Sequence, residues 1–150
     1  MKMKHGWHKE VIRVHYKDTD QMGVVHHGNY VNLFEIGRTE WMRHAGIPYS
    51  KMEDMGLLLP VMDLNINYQK SARYDDLLVI YTKVSHFSKV RLQFDYEARL
   101  INDSQGEIAD TPTGELLAKG STVHMWVTRD WKPARIDRLA PDVYALFQEA

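Results

Sequence analysis

The sequence predicts an α+β fold in which one long helix packs against an antiparallel sheet of five strands. Three observations carry this: helical apolar spacing from about residue 30 to residue 45, period-two alternation in several other segments, and an order of strand, helix, then four strands in succession. The first strand is expected at residues 10–17, EVIRVHYK, where Val11, Arg13 and His15 alternate with Ile12, Val14 and Tyr16. A polar loop containing glycine follows, DTDQMGVVHHGN. The helix then sets Tyr30, Leu33, Phe34, Trp41 and Ala45 on one stripe, with Gly37 among them. A glycine inside a helix costs about 1 kcal/mol relative to alanine, so Gly37 points to close approach of the helix to a flat surface. Gly46 and Pro48 supply the stop.

A short helix is expected around residues 50–55. After Pro60 the period changes to two: Met62, Leu64, Ile66 and Tyr68 oppose Asp63, Asn65, Asn67 and Gln69, the pattern of a half-buried strand. SARYDD makes a turn, and residues 77–84 form the third strand. The fourth has the clearest alternation, with Val90, Leu92, Phe94, Tyr96, Ala98 and Leu100 against Arg91, Gln93, Asp95, Glu97 and Arg99. The polar stretch NDSQGEIADTPTG connects it to a long fifth strand at residues 115–128, and residues 142–149 form a closing helix. The last four strands can pair as successive antiparallel hairpins. No repeat, low-complexity tract or linker interrupts the chain, so residues 1–150 read as one domain. A single helix layer leaves sheet edges and one sheet face uncovered, which predicts a homodimer or homotetramer.

Composition narrows the function. With 19 basic and 20 acidic residues and no basic stripe, nucleic acid is not a favoured partner. The absence of cysteine removes disulfides, thiol catalysis and thiolate zinc sites, and it fits a reducing compartment. MKMKHGWHKE has no apolar core of a signal peptide, and no apolar run approaches the roughly 18 residues of a membrane span. A cytoplasmic protein without membrane insertion is expected.

The stretch from Tyr16 to Tyr30 brings two carboxylates, two histidines and a glycine to the start of the long helix. A helix N-terminus offers unpaired N–H groups and about half a positive charge, which can polarise a carbonyl and hold a developing oxyanion. A nearby carboxylate can activate water or attack the carbonyl itself. Together these parts suit acyl transfer, although an Asp near a helix start is more often a cap, and His26 and His27 are more often simply polar loop. The histidines have no third or fourth partner at recognisable metal-ligand spacing, so no metal is expected.

Residues 16–30 read Y-x-D-T-D-x-x-G-V-V-x-H-x-x-Y and lead into a helix containing Arg38-Thr39-Glu40. This pattern resembles the 4-hydroxybenzoyl-CoA thioesterase family, and within it the branch that includes the Tol–Pal-associated acyl-CoA thioesterases. Residues 66–78 resemble the family's strand-turn-strand segment, and the resemblance covers roughly residues 8–130. It implies a hotdog fold, a five-stranded antiparallel sheet wrapped around one long central helix, and hydrolysis of an acyl-CoA thioester without metal or organic cofactor. It places the catalytic aspartate at Asp20, assisting groups at Tyr16 and His27, the carbonyl-polarising N–H at His27, and the loop glycine at Gly23. At Lys70-Ser71-Ala72 the chain departs from the family, many of whose members carry a proline before the alanine; this weakens inference about the local CoA-binding surface.

Other groups admit two roles. Glu35 and Glu40 on the helix could be catalytic carboxylates, but ion pairing along the helix, as of Glu40 with Arg43 or His44, is the favoured role. Lys70, Arg73, Lys89 and Arg91 are the candidates for binding CoA phosphates. Met52, Met55 and residues 57–59 could line an acyl pocket or serve as core. A non-catalytic acyl-CoA-binding or scaffold protein is the rival function, disfavoured because a binder needs no carboxylate at the scissile carbonyl. A hotdog dehydratase lacks its His-Phe-Pro type of motif here.

Overall fold

The computed structural model describes residues 6–102 and 107–149. Strand β1 (His8–Arg13) is followed by one 3₁₀ turn at Tyr16–Asp18, a loop, and helix α1 (Asn29–His44). Helix α2 (Tyr49–Asp54) and the short β2 (Leu57–Leu58) lead into β3 (Val61–Tyr68), β4 (Leu77–Phe87), β5 (Arg91–Leu100) and β6 (Glu115–Met125). The short β7 (Val127–Thr128) pairs with β2, and helices α3 (Ile136–Leu139) and α4 (Pro141–Glu149) close the described chain. The five long strands form one antiparallel sheet in the order β1-β4-β5-β6-β3. With α1 packed along one face, this is the hotdog arrangement that the resemblance implies.

The core lies between that face and α1. Leu78 and Ile80 of β4, Leu92, Phe94, Tyr96 and Ala98 of β5, and Leu117 and Ala118 of β6 meet Tyr30, Leu33, Phe34, Trp41 and Met42 of the helix. Phe34 stacks on Tyr96 at 4.6 Å between ring centroids. The expected close approach at Gly37 is present: a Cβ there would sit 2.3 Å from Thr82 Oγ1 and 3.1 Å from the Ile80 side chain. Inside the core a polar thread runs through Tyr96 Oη and Thr122 Oγ1 (2.6 Å), then Thr122 Oγ1 and His124 Nε2 (2.7 Å). The carbonyl of Leu59 can only accept, so His124 Nδ1 donates to it at 3.2 Å. Burial pushes the His124 imidazole down to about 4 and keeps it neutral.

Three expectations are corrected. The first strand ends at Arg13, not residue 17, because Val14 leaves the β1–β4 ladder: its N–H turns to the Asp76 carbonyl and its carbonyl to the Asp75 N–H. The fifth strand breaks at Trp126, which is wholly buried, and continues as β7 on a different partner. The last four strands are not successive hairpins: β4–β5 and β5–β6 pair so, but β3 pairs with β6 at the far edge, because β1 occupies the side of β4 that a β3–β4 hairpin would need. The connection of residues 69–76 therefore crosses the ends of β5 and β6. Part of the polar loop after β5, residues 103–106, lies outside the described residues, as do residues 1–5, on which the absence of a leader was partly read. No helix among the described residues is long and apolar enough to cross a membrane.

Candidate active site

The site forms where the 69–76 crossing meets the loop before α1. Val25 N–H donates to the Ala72 carbonyl at 2.8 Å, and Val24 bridges Arg73, so two segments separated by nearly fifty positions are locked side by side. Between them lies a cleft of about 240 Å³. Asp20, His27, Tyr30, Tyr68 and Lys70 face it, and Met22, Val24 and Val25 give it an apolar side.

Within the loop the two aspartates diverge. Asp18 Oδ2 accepts from the His15 N–H at 2.9 Å, and the Asp18 carbonyl takes His26 N–H at 2.9 Å and Asn29 Nδ2 at 2.7 Å. Asp18 thus builds the loop and faces away from the cleft. Asp20 Oδ1 accepts the Met22 N–H at 2.8 Å, and Oδ2 has no hydrogen-bond partner among the described residues. Gly23 closes the same turn with φ of +79°, donating to the Asp20 carbonyl at 2.9 Å, while Asp20 N–H returns to Val24. A residue with a Cβ is strained in that left-handed region, which gives Gly23 its physical role.

At the helix entrance almost every N–H is used. His26 donates to Asp18, Gly28 to His26 Nδ1, Asn29 to the His26 carbonyl, Tyr30 to the His27 carbonyl and Val31 to the Gly28 carbonyl. The N–H of His27 has no acceptor among the described residues, and His27 is on the cleft wall. Tyr68 Oη donates to the His27 carbonyl at 2.8 Å, which holds that peptide in place. The His27 ring stacks on His26 with centroids 4.3 Å apart. Tyr30 is buried beside the cleft, its hydroxyl without a partner among the described residues, and desolvation pushes its phenol up.

Asp20, Gly23, His27 and Lys70 are therefore brought together, and Arg73 lies next to them through its bridge to Val24. Tyr16 is not in the cleft: it is 73% exposed and stacks on Tyr74 at 3.7 Å. Lys89 and Arg91 flank the β4–β5 turn, and the ten steps of β4 put about 33 Å between that turn and the strand end near the cleft. Glu35 lies 3.9 Å from Arg38, and Glu40 takes Arg43 Nε at 3.2 Å, the pairing expected of helix-surface carboxylates. Met52, Leu57, Leu58 and Leu59 line a separate apolar hollow of about 300 Å³ with Tyr49 and Trp131. Sequence reasoning missed Tyr68 and Tyr30 as site residues. Both sit on apolar stripes; the signal for Tyr68 was a hydroxyl on a residue otherwise read as core, and Tyr30 also closes the family pattern of residues 16–30.

The chain is a hotdog-fold protein whose loop and helix entrance offer a carboxylate and an unused amide donor to one cleft. The family model for the thioesterase superfamily matches residues 22–107. A putative acyl-CoA thioesterase of Bacillus subtilis, YneP, is 33% identical over 143 residues, spanning 95% of this chain and 96% of the relative. The acyl-CoA thioesterase YbgC of Haemophilus influenzae is 37% identical over 94 residues, 62% of this chain and 68% of that one. Among solved structures, the DHNA-CoA thioesterase of Staphylococcus aureus superposes with a TM-score of 0.84 and 34% identity, covering 95% of this chain and 89% of the other. The chain belongs to the thioesterase superfamily, and it is a thioester hydrolase.

Proposed function

We propose that this chain hydrolyses acyl-CoA thioesters in the cleft between the 18–27 loop and residues 68–71. One observation carries the proposal: the His27 N–H, which has no acceptor among the described residues, shares the cleft with the Asp20 carboxylate. The thioester carbonyl oxygen accepts from that N–H, and the helix N-terminus favours the negative charge that grows on it. Asp20, anchored through Oδ1, delivers the oxygen nucleophile from Oδ2, either directly or by taking a proton from water. Collapse of the tetrahedral intermediate breaks the C–S bond, and CoA leaves as a thiolate; on the direct route the acyl group is left on Asp20 as a mixed anhydride, which water then hydrolyses to the free acid and the Asp20 carboxylate. The His27 imidazole orients water beside Asp20. Lys70 and Arg73 are positioned to meet CoA phosphates, and Lys70 now pairs with Glu115 across an exposed 3.4 Å.

The assembly we propose is at least a homodimer, built on the β3 edge. The two edges of the sheet differ: β1 exposes one large apolar side chain, Val11, among His8, Lys9, Glu10 and Arg13, whereas β3 exposes Val61, Met62, Leu64 and Tyr68 among Asp63, Asn65 and Asn67, beside an unpaired backbone. An open edge strand of eight residues with four exposed apolar or aromatic side chains is a template for a second strand, and pairing buries it. Sedimentation at micromolar concentration should give a dimer or larger; a stable monomer would overturn this assembly.

The function is tested with a panel of acyl-CoAs and a chromogenic thiol reagent. The chain has no cysteine, so every thiol detected is released CoA. Turnover of at least one acyl-CoA, abolished by Asp20→Asn, is the expected outcome. Tight binding of acyl-CoA with no thiol release would make the chain a binder and sink the proposal.

A further inference from the structure

We propose that His8, Glu10 and His44 form a site for one divalent transition-metal ion, with zinc the best chemical match, that clips strand β1 to the C-terminal end of helix α1. One ligand atom from each of the three residues lies within 4.8 Å of the other two. His8 and Glu10 are two apart on β1 and so project to the same face. Their register partners Thr82 and Ile80 are the residues that meet Gly37, which places that face under α1. His44 is the last residue of the helix and comes down onto them from above. The two imidazoles are 4.4 Å apart between centroids, tilted by 44°, and His8 Nε2 lies 3.0 Å from Glu10 Oε1.

The tautomer of His44 favours a ligand role. Its Nδ1 lies 2.8 Å from the Glu40 carbonyl, which can only accept, so Nδ1 carries the proton and Nε2 presents a lone pair. A ring N–H held by a backbone carbonyl is the outer-shell partner that metal-binding histidines use to set ring orientation and raise basicity. The Glu40 carboxylate is engaged by Arg43. The His8 side chain is only 9% exposed, Glu10 is 29% exposed, and His44 is exposed, so the site is partly desolvated yet open to an arriving ion. Two imidazoles and a carboxylate are a set suited to zinc, and soft-metal chemistry is disfavoured by the lack of sulfur ligands. Zinc bonds of about 2.0–2.2 Å put tetrahedral ligands about 3.4 Å apart, so a pair at the 4.8 Å limit must close by about 1.4 Å, within reach of a side-chain rotation at exposed His44.

The ion acts on the fold and not on the reaction. Helix α1 rises about 1.5 Å per residue over sixteen residues, which puts this site more than about 20 Å from the Asp20 cleft. It joins residues 36 positions apart or 34 positions apart, a pairing that no local spacing in the sequence shows.

The test uses the full chain without an affinity tag, stripped with a chelator and titrated with zinc chloride in a calorimeter, alongside His44→Ala and Glu10→Gln. One zinc per chain is expected, with at least about tenfold weaker affinity in each variant. The melting temperature should rise with zinc in the wild type and not in His44→Ala. No saturable binding below millimolar zinc, or an affinity unchanged in both variants, overturns the proposal. Should a variant fail to fold, imidazole NMR of the wild type decides: zinc should move the signals of His8 and His44. Movement confined to the stacked pair His26 and His27 overturns the site.

Discussion

Helix α1 ends in two different ways. At its C-terminus the backbone is closed: Gly46 N–H returns to Arg43 and Ile47 N–H to Met42, the double bond of a Schellman motif, with Gly46 at φ of +88°. His44 takes a further carbonyl, that of Glu40. At its N-terminus Gly28 caps without a side chain, and the His27 N–H has no acceptor among the described residues. The same helix therefore closes its C-terminal hydrogen bonds on itself, while its N-terminal end holds the donor that the proposed chemistry uses. Activity and fold should be separable by mutating one end or the other.

The largest effect is expected at the open end. Asp20→Asn keeps shape and the bond to Met22 N–H, but it removes the anion, and kcat should fall by at least about 100-fold with substrate affinity little changed. Asp18→Asn is the internal control. Its carboxylate holds His15 and not the cleft, so it should cost about 1 kcal/mol of stability or less and reduce kcat by less than about tenfold. Side-by-side kcat values after circular dichroism confirm folding settle the pair; a dead Asp18 variant with an active Asp20 variant would reverse the assignment.

Gly46→Ala probes the closed end. A Cβ at Gly46 meets nothing within 4 Å, so the penalty comes from the left-handed backbone alone, about 1–2 kcal/mol. Thermal melting should shift down by several degrees while kcat stays near wild type. A large loss of turnover in the folded protein would mean the two ends are coupled through the helix.

The last comparison separates backbone from ring. Alanine at position 27 keeps the N–H proposed to receive the oxyanion and removes the imidazole, so His27→Ala should lower kcat by less than the roughly 100-fold floor expected for Asp20. A fall equal to that of Asp20→Asn would give the imidazole essential chemistry.

Much of this molecule was legible in order along the chain. The stripe through Tyr30, Phe34, Gly37 and Trp41 is a helix face, and the alternation from Leu92 to Ala98 is a strand with one buried side, as observed. The loop Asp18–Gly23 before that helix was also legible as a candidate site, because carboxylates beside a helix start carry a physical meaning without any tertiary contact. Between the two acids, residue type alone could not choose. The family pattern pointed to Asp20, and the hydrogen bonds of Asp18 supply a reason: it is committed to His15.

Local periodicity determines which segments are helix or strand and which of their faces is apolar, since it reports on side chains three, four or two positions apart. Strand order is decided by which pairings together bury those faces, and only the fold has that information. So β3 joins β6 and not β4, residues 69–76 cross the sheet end, and Tyr68 and Lys70 arrive at Asp20 while Lys89 and Arg91 are left at the opposite end. The same long-range packing sets His8 against His44. Sequence by itself placed the candidate site on the helix entrance, and tertiary structure chose its neighbours.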